Sequence, residues 1–422
     1  MPAMRVELIN IGTELLLGFV VNTHAAYLGQ KLSAIGATLG RQVCVNDAAV
    51  ELEDCLREAL HRSDLVITSG GLGPTSDDIT RNIVARHLGL RMDFDEVAME
   101  RIGARYRRRG TRMPESVRVQ AMVPRGATVF YNDHGTAPGL AIPTRKPGNC
   151  RWLVLLPGPP RELRPMFETQ VMPLLLREYQ ATLPIVDCRV LRVVGLGESV
   201  VAERVEPLLR ELREVEIGYC ARMGEVELRL IVRGREGARV RQVAERAEGI
   251  ARKKLGQAIF GVGDVTLEQV VVGLLREKQQ WLATAESCTG GCLANRITMV
   301  PGSSEIFREG WVVYSDRAKA KRLGVPRRLI EKHGAVSGQV AKAMAEGALR
   351  IAGVDYALAV TGIAGPTGGT TDKPVGTVHI AFASKRRTHA EKFCFQLDRE
   401  TFKFITSQTA LDMLRLRLLR ES

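Results

Sequence analysis

Two glycine-rich segments of this sequence could hold phosphate or a developing oxyanion. Gly70–Thr75 and Gly362–Thr367 share the pattern Gly-x-x-Gly-Pro-Thr, and each follows a short apolar run that ends in a hydroxyl residue, Ser69 or Thr361. Glycine after a buried strand lets backbone N–H groups turn toward a ligand. An ordinary strand-to-helix turn would explain one copy alone. The duplication, with a hydroxyl at the same offset, instead predicts two separate sites.

A serine near the second loop is the candidate nucleophile. Ser287 lies where a predicted strand turns into a glycine-opened helix, a position that commonly exposes a nucleophile. Lys319, five residues beyond Tyr314, is the candidate base, because a buried lysine can lose its proton. Thr361 and the amides after Gly362 would form the oxyanion cradle. In the alternative interpretation, Ser287 caps a helix, Tyr314 is a core aromatic residue and Lys319 is solvated.

Carboxylates accompany the first glycine loop. Asp77 and Asp78 follow it directly, and Glu14 follows the first predicted strand. Paired carboxylates beside a phosphate loop suit a hard cation such as Mg²⁺. In the competing interpretation, Asp77 or Asp78 begins the helix at 79–88 and no metal is involved. Both interpretations are open at this point.

The elements that would position these residues form layered α/β units. A chain of 422 residues predicts two or three domains. Strands alternate with helices in residues 1–171, which is typical of a parallel sheet, and the same alternation returns in residues 264–422. Residues 184–256 read as a small α+β domain between them. The predicted fold class is therefore α/β, with two layered domains and a smaller middle one.

The composition limits which cellular compartment and which partners are expected. The eight cysteines are scattered, without a Cys-x-x-Cys pair or zinc spacing, so we expect free thiols in a reducing cytoplasm. No apolar run approaches the length of a membrane span, so no membrane partner is expected. The net charge of +13 invites a nucleic-acid interpretation, but many basic residues alternate with Glu on amphipathic helices. Such a surface would equally steer phosphate-bearing metabolites, and a nucleic-acid partner is not expected.

A series of short motifs identifies a family. The first half contains Gly12–Gly18, Ser69–Thr80, Gly135–Gly139 and Leu156–Glu162, and the second contains Ala285–Gly291, Tyr314–Lys319, His333–Ser337, Thr361–Pro366 and Lys373–Val378. In these motifs, and in their order, the sequence resembles the CinA family over its whole length. The resemblance implies a molybdopterin-binding-like first domain, a KH-type middle domain and a nicotinamide-nucleotide amidohydrolase last domain.

For the last domain, the resemblance implies hydrolysis of nicotinamide mononucleotide to nicotinic acid mononucleotide and ammonia, without a cofactor. Carried onto this sequence, Ser287 is the nucleophile, Lys319 the base and Tyr314 its hydrogen-bonding neighbour. Substrate contacts are expected from Thr361, Gly362, Arg399, Thr289 and Gly290.

For the first domain, the resemblance implies a metal-dependent ADP-ribose pyrophosphatase. Asp77 and Asp78 would bind the divalent cation, and the diphosphate would contact Ser69, Gly70, Gly71, Gly73 and Thr75. The middle domain has no clear Gly-x-x-Gly clamp, so RNA binding is not expected. We expect a homodimer. The alternative functions are a molybdopterin-binding module and a competence or recombination scaffold that binds nucleic acid.

Overall fold

The computed structural model describes residues 4–144 and 150–420. Within them the chain forms two compact units. One runs to Asp187 and includes Arg233–Val240, and the other contains Cys188–Val232 and the chain from Arg241 onward. None of the helices in these described ranges combines the length and apolar composition needed to cross a bilayer.

The first unit is built on a six-stranded sheet in the order β2-β1-β3-β8-β7-β6. Its strands are β1 (Arg5–Ile11), β2 (Thr38–Val45), β3 (Leu65–Ser69), β4 (Met92–Phe94), β5 (Met122–Pro124), β6 (Thr128–Phe130), β7 (Gly139–Pro143) and β8 (Trp152–Leu156). Strands β2, β1, β3 and β8 are parallel, whereas β7 and β6 continue the sheet antiparallel. Strands β4 and β5 form a separate pair. The parallel core confirms the predicted α/β class.

Helices cover both faces of this sheet, which explains the apolar runs of its inner strands β3 and β8. They are α1 (Thr13–Leu16), α2 (His24–Ala34), α3 (Ala49–Arg62), α4 (Thr80–Leu88), α5 (Glu96–Arg108), α6 (Pro160–Met166) and α7 (Met172–Tyr179), with a 3-10 turn at Glu115–Ala121 and a π-helical turn at Phe167–Val171. Leu8 packs in one core with Leu28 of α2, whereas its neighbour Ile9 packs in the other core with Leu56 of α3. Alternate residues of β1 therefore pack against helices on opposite faces of the sheet.

The middle part of the chain forms a four-stranded sheet in the order β10-β11-β9-β12. Its elements are β9 (Ile185–Val194), α8 (Glu198–Leu209), β10 (Val215–Arg222), β11 (Glu225–Gly234), α9 (Gly237–Leu255) and β12 (Ile259–Val262). A core of Leu191, Val205, Leu228 and Ala247 joins the strands to the two helices. This is the small α+β domain that the sequence predicts.

The rest of the second unit is a five-stranded sheet in the order β14-β13-β15-β16-β17. Its strands are β13 (Leu282–Glu286), β14 (Phe307–Val312), β15 (Tyr356–Gly362), β16 (Thr377–Ser384) and β17 (Thr388–Cys394). Strands β14, β13 and β15 are parallel, and β16 and β17 are antiparallel additions. The parallel strands end together at one edge, where open α/β sheets commonly bind ligands.

Six helices complete this domain. They are α10 (Leu267–Glu277), α11 (Cys292–Thr298), α12 (Asp316–Leu323), α13 (Arg327–His333), α14 (Gly338–Ala352) and α15 (Arg399–Arg420). Val340 and Met344 of α14 pack with Ala285 and Ala359 on one face of the sheet, and Leu411 of α15 belongs to the core on the other. Residues that alternate along β13 and β15 therefore point to different helical layers.

Candidate active sites

Ser287 continues β13 by one residue at the carboxyl edge of the sheet. Its backbone N–H donates to the Val360 carbonyl at 3.0 Å, and its own carbonyl accepts from Gly290 N–H at 3.2 Å in a tight turn. The residue is 7% exposed. The residue at the N-cap of α11 is Gly291, with φ +94°, so the interpretation of Ser287 as a helix cap is wrong.

The side chain that accepts hydrogen bonds from the amides at the start of α11 is that of Glu286, which sequence reasoning missed. Its carboxylate accepts hydrogen bonds from the backbone N–H groups of Gly291 and Leu293, both at 3.0 Å, and of Ala294 at 2.8 Å. The side chain is buried, so these charge-assisted bonds replace its water. The sequence signal for this role was an acidic residue directly before Ser287, followed by the Gly-Gly pair. Glu286 thereby fixes the turn that carries the serine.

Lys319 is buried in α12 at the same edge. It is 1% exposed, and its Nζ donates to the Tyr314 backbone carbonyl at 3.2 Å. Burial lowers the pKa of the Lys319 ammonium, whereas Asp316, whose carboxylate lies 3.6 Å from Nζ, acts in the opposite direction. The interpretation of Lys319 as a solvated helix residue is therefore wrong. A buried lysine with a lowered pKa has the character of a general base.

The lysine and the serine lie close but are not bonded to each other. Within residues 4–144 and 150–420, no hydrogen bond joins Ser287 Oγ to Lys319 Nζ. Their proximity shows at Cys288, the next residue. Burial raises the pKa of the Cys288 thiol to about 12, and the Lys319 charge acts in the opposite direction. Lys319 is therefore within electrostatic reach of the serine turn.

Tyr314 and Arg399 are brought together at the mouth of this site. The Tyr314 hydroxyl accepts from the Arg399 guanidinium at 3.1 Å, and the guanidinium also donates to the Gly365 carbonyl at 2.8 Å. Tyr314 is 61% exposed, so it is not a core aromatic residue. The backbone carbonyl of Tyr314 accepts the hydrogen bond from Lys319, whereas the Tyr314 hydroxyl accepts one from Arg399. Arg399 thus ties Tyr314 to the second glycine loop.

The other expected substrate contacts differ in availability. The buried Thr361 hydroxyl donates to the Ala335 carbonyl at 2.8 Å, which uses its one hydrogen, so it does not serve as the expected donor in this conformation. Gly362 ends β15, where a Cβ would lie 2.8 Å from the Thr377 carbonyl. Thr289 is fully buried and inaccessible to a substrate, which corrects its expected role. Gly290 is exposed in the turn.

In the first unit, the predicted phosphate loop is held by close backbone contacts. Ser69 ends β3 and is buried. A Cβ at Gly70, where φ is +107°, would lie 2.2 Å from the Ile11 carbonyl oxygen, and one at Gly71 would lie 2.0 Å from Thr80 Oγ1. These positions require glycine because the loop crosses the end of β1 with no room for a side chain.

Asp78 closes this loop from within. Its carboxylate accepts from Gly73 N–H at 2.7 Å and Thr75 N–H at 2.9 Å, and also from the Thr75 hydroxyl. Helix α4 starts at Thr80 without a side-chain cap, so neither Asp77 nor Asp78 caps it. The expectation that the amides of Gly73 and Thr75 turn toward a ligand is therefore wrong in this conformation, because Asp78 occupies them.

Two buried side chains support the loop, and the sequence analysis did not predict either of them. Arg81 donates to the Leu72 and Gly73 carbonyls at 3.1 Å each, and Gln120 Nε2 donates to Leu72 at 3.3 Å. Burial lowers the pKa of Arg81 to about 10, and Asp78 opposes that effect. An arginine three residues after Asp78 was visible in the sequence, but nothing there indicated that its side chain would turn inward.

A cavity of about 320 Å³ lies at the carboxyl edge of the first sheet. It is lined by the glycine loop and by the carboxylates of Glu14, Asp47, Asp77, Asp78 and Glu162. Asp47 accepts from the Thr13 hydroxyl at 2.9 Å, and Asp77 is exposed. Within residues 4–144 and 150–420, no three His, Cys, Asp or Glu side chains are grouped to hold a metal by themselves. Oxygen donors of this kind suit a Mg²⁺ that is completed by substrate phosphates.

Comparison with known proteins assigns each part of the chain to a described domain. Residues 7–177 match the model described as "Probable molybdopterin binding domain", residues 188–261 match "Damage-inducible protein CinA KH domain", and residues 264–418 match "CinA C-terminal domain". These matches confirm the three domain types that the sequence motifs imply.

Relatives resemble the chain over its full length. A CinA-like protein of Akkermansia muciniphila is 47% identical over 412 residues, covering 97% of each chain. A CinA-like protein of Kosmotoga olearia is 41% identical over 416 residues, covering 99% of each. The crystal structure of competence/damage inducible protein CihA from Agrobacterium tumefaciens is 38% identical and covers 36% of this chain and 93% of its own, with a TM-score of 0.35. The chain therefore belongs to the CinA family, with a molybdopterin-binding-like first domain, a KH-type middle domain and a CinA carboxyl-terminal domain.

Proposed function

We propose that the carboxyl-terminal domain is a nicotinamide-nucleotide amidohydrolase, which converts nicotinamide mononucleotide and water to nicotinic acid mononucleotide and ammonia. The observation that carries the proposal is the buried Lys319, whose pKa is lowered by burial, at the same sheet edge as Ser287. A serine and a deprotonatable lysine are sufficient for acyl transfer without a metal or an organic cofactor.

In the proposed reaction, Ser287 Oγ attacks the carboxamide carbon while its proton passes to Lys319 Nζ. The carbonyl oxygen takes up the negative charge, and ammonia leaves with the proton from Lys319. Water then attacks the resulting ester, again with Lys319 as base, and releases the carboxylate product and the free serine. One water is consumed and one ammonia is formed.

The surrounding contacts divide the supporting roles. Because the Thr361 hydroxyl is bound to Ala335 and the Gly290 amide to the Ser287 carbonyl, stabilisation of the oxyanion is assigned to the Cys288 amide, directly after the nucleophile. Glu286 fixes the turn after Ser287 through the amides of Gly291, Leu293 and Ala294. Arg399 holds Tyr314 beside the second glycine loop and places a guanidinium at the mouth of the site, where an anionic substrate would arrive.

The test is ammonia release from nicotinamide mononucleotide by the full-length protein. Ser287→Ala is expected to lower kcat by about a thousandfold or more. Lys319→Met should lower it by about a hundredfold or more while retaining the fold, because methionine fills the buried volume without a charge to desolvate. The control is Lys321→Met on the exposed side of α12, which should leave turnover within about twofold of the wild type. Wild-type ammonia release no faster than that of Ser287→Ala would refute the proposal.

We propose a second activity for the first unit, cation-dependent hydrolysis of ADP-ribose to AMP and ribose 5-phosphate. The observation that favours it is the cavity at the carboxyl ends of parallel strands, with a glycine loop on one side and carboxylates on the other. Glu14 and Asp77 would hold the cation together with the diphosphate, and the cation would neutralise the charge of the leaving phosphate. The expected second ligand, Asp78, accepts hydrogen bonds from two loop amides in this conformation, so we assign the first cation contacts to Glu14 and Asp77.

This second activity is tested by ADP-ribose turnover with Mg²⁺ and with a chelator. Glu14→Gln and Asp77→Asn should each raise the Mg²⁺ concentration needed for half-maximal rate, whereas Asp93→Asn, an exposed partner of Arg125, should not. Turnover that persists in chelator would remove the metal role. Tight pterin binding without any turnover would instead support the molybdopterin module, and steeply salt-dependent DNA binding would support the scaffold.

A further inference from the structure

A basic cavity of about 270 Å³ lies beside the start of α14 in the carboxyl-terminal domain. Lys373, Lys392, His333 and His379 line it, with Asp372 as the acidic side chain. Two lysines against one aspartate leave a net positive charge. None of these five residues has a part in the chemistry proposed for Ser287 and Lys319, so the cavity calls for a separate explanation.

Sheet register relates this cavity to the serine. Glu286 pairs with Val360, so Ser287, one residue further, lies beside Thr361. Thr361 pairs with His379, and His379 pairs with Lys392. At about 4.8 Å per strand, Ser287 and His379 lie two strand spacings apart, or about 10 Å.

Both residues are on the sheet face that α14 covers. Ala285, Ala359 and Ala381 pack in the core of that face, and side chains two residues away along a strand point the same way. Ser287 is two residues after Ala285, and His379 is two residues before Ala381. Ser287, Thr361 and His379 therefore lie in one row on the same face of the sheet, at its carboxyl edge.

The cavity also includes the start of α14, next to His379. His379 Nδ1 lies against the first residue of α14, 3.5 Å from where a Cβ of Gly338 would be. Ser337 accepts from Val340 N–H, which leaves the amides of Gly338 and Gln339 as the earliest donors of this fifteen-residue helix. The positive end of the helix dipole adds to the side-chain charges.

Lys373 is held in place over the cavity. Its Nζ donates to the His333 carbonyl at 2.7 Å, which uses one of its three donors. Burial lowers the pKa of the His379 imidazole, and the charges of Lys392 and Lys373 lower it further. Both lysine charges therefore act on the imidazole. An anion bound between the two lysines would reduce the repulsion between their ammonium groups.

We infer that this cavity binds the phosphate of the mononucleotide whose carboxamide reaches Ser287, an inference that rests on the proposed amidohydrolase function. A nicotinamide mononucleotide places an aromatic ring, a ribose and one methylene between its carboxamide and its phosphate, a span that suits two strand spacings. Lys392, Lys373 and His379 would contact the phosphate, and the helix amides would complete the anion site. The domain would then select a nucleotide over the free base or nucleoside.

Binding of ribose 5-phosphate, measured by calorimetry on the full-length protein, tests the cavity without requiring catalysis. Lys392→Ala and His379→Gln should each weaken one binding event by roughly tenfold. The matched control is Lys342→Ala, which removes the same charge from the exposed side of α14 and should change affinity by less than about twofold. Unchanged affinity in both cavity variants would overturn the inference.

Kinetics separate this inference from the proposed function. Lys392→Ala should raise KM for nicotinamide mononucleotide by roughly tenfold, leave kcat nearly unchanged, and leave hydrolysis of nicotinamide riboside as slow as in the wild type. Phosphate binding that depends on Lys392 without any ammonia release would reject the amidohydrolase and retain the anion site. If ammonia is released and neither cavity variant changes KM, the amidohydrolase proposal stands and the phosphate site is rejected.

Discussion

The Lys319 ammonium donates to the backbone carbonyl of Tyr314 at 3.2 Å. The contact needs no particular side chain at position 314, because the acceptor is the main chain. It fixes the end of a buried, flexible side chain at the residue where β14 has already ended and α12 is about to begin. The tyrosine ring is left free to serve Arg399, so one residue organises two functional groups at the mouth of the site.

The first prediction concerns the pH dependence of the amidohydrolase. A base must be deprotonated, so kcat/KM should rise with pH and level off above the pKa of Lys319, which burial has lowered. Asp316 opposes that lowering, because its carboxylate favours the charged ammonium. Asp316→Asn should therefore lower the pKa further and shift the acid limb of the profile to lower pH.

The profile is measured with nicotinamide mononucleotide at constant ionic strength. Glu346→Gln provides the control, because it removes an exposed carboxylate of α14 that has no part in the pKa of Lys319. A shift of the acid limb to higher pH in Asp316→Asn, or no shift, would show that Lys319 is not the titrating base.

The layered fold could be predicted because it depends on repeated local patterns. The apolar runs at Leu65–Ser69 and Tyr356–Gly362 are long enough to identify buried strands, and both become central strands of their sheets. The antiparallel additions β7 and β16 were harder to foresee. Their orientation depends on which strand they pair with across the chain, and a single sequence does not record that pairing.

For the candidate sites, the sequence indicated residue types but not the contacts that those residues make. A serine, a lysine and a second glycine loop were expected together, and the fold places Ser287, Lys319 and Thr361 at one edge. The partner of each polar group could not be inferred. Asp78 looks like a metal ligand or helix cap in the sequence, but the curvature of the loop turns its carboxylate onto the amides of Gly73 and Thr75.

The second prediction concerns Glu286 and the stability of the serine turn. Glu286→Gln keeps the size of the side chain but removes the charge that three amides at the start of α11 share. We therefore expect a loss of about 1.5–3 kcal/mol in the free energy of unfolding. Glu277→Gln, on an exposed surface of α10, should change it by less than about 0.5 kcal/mol. Denaturant titration of the full-length protein measures both. Equal effects of the two substitutions would contradict the capping role.

The third prediction separates backbone strain from crowding in the first glycine loop. Gly70→Ala places a Cβ 2.2 Å from the Ile11 carbonyl at φ +107°, whereas Gly18→Ala has φ +76° and open space around it. In both variants alanine must adopt an unfavourable positive φ, which costs about 1–2 kcal/mol. Only in Gly70→Ala must the backbone also move to avoid a clash. Its melting temperature should therefore fall further than that of Gly18→Ala. It should also lose ADP-ribose turnover, which Gly18→Ala should retain.

The last prediction concerns the packing that positions Lys319. Helices α12 and α14 meet so closely that a Cβ at Gly347 would lie 2.0 Å from the Leu323 carbonyl oxygen. Gly347→Ala should therefore push α12 outward and move Lys319 relative to Ser287, while the cavity at the other end of α14 keeps its contacts. A displacement of about 1 Å in a catalytic base can lower the rate by about a hundredfold.

Turnover and affinity should respond differently to this change. In Gly347→Ala, kcat for nicotinamide mononucleotide should fall by about tenfold or more with little change in the affinity for ribose 5-phosphate. Gly273→Ala, in α10 with nothing within 4 Å of the new Cβ, is the matched helix-interior substitution and should stabilise the fold by about 0.5–1 kcal/mol through helix propensity alone. A fall in kcat of the same size in Gly273→Ala, or none in Gly347→Ala, would show that the position of Lys319 does not depend on this helix contact.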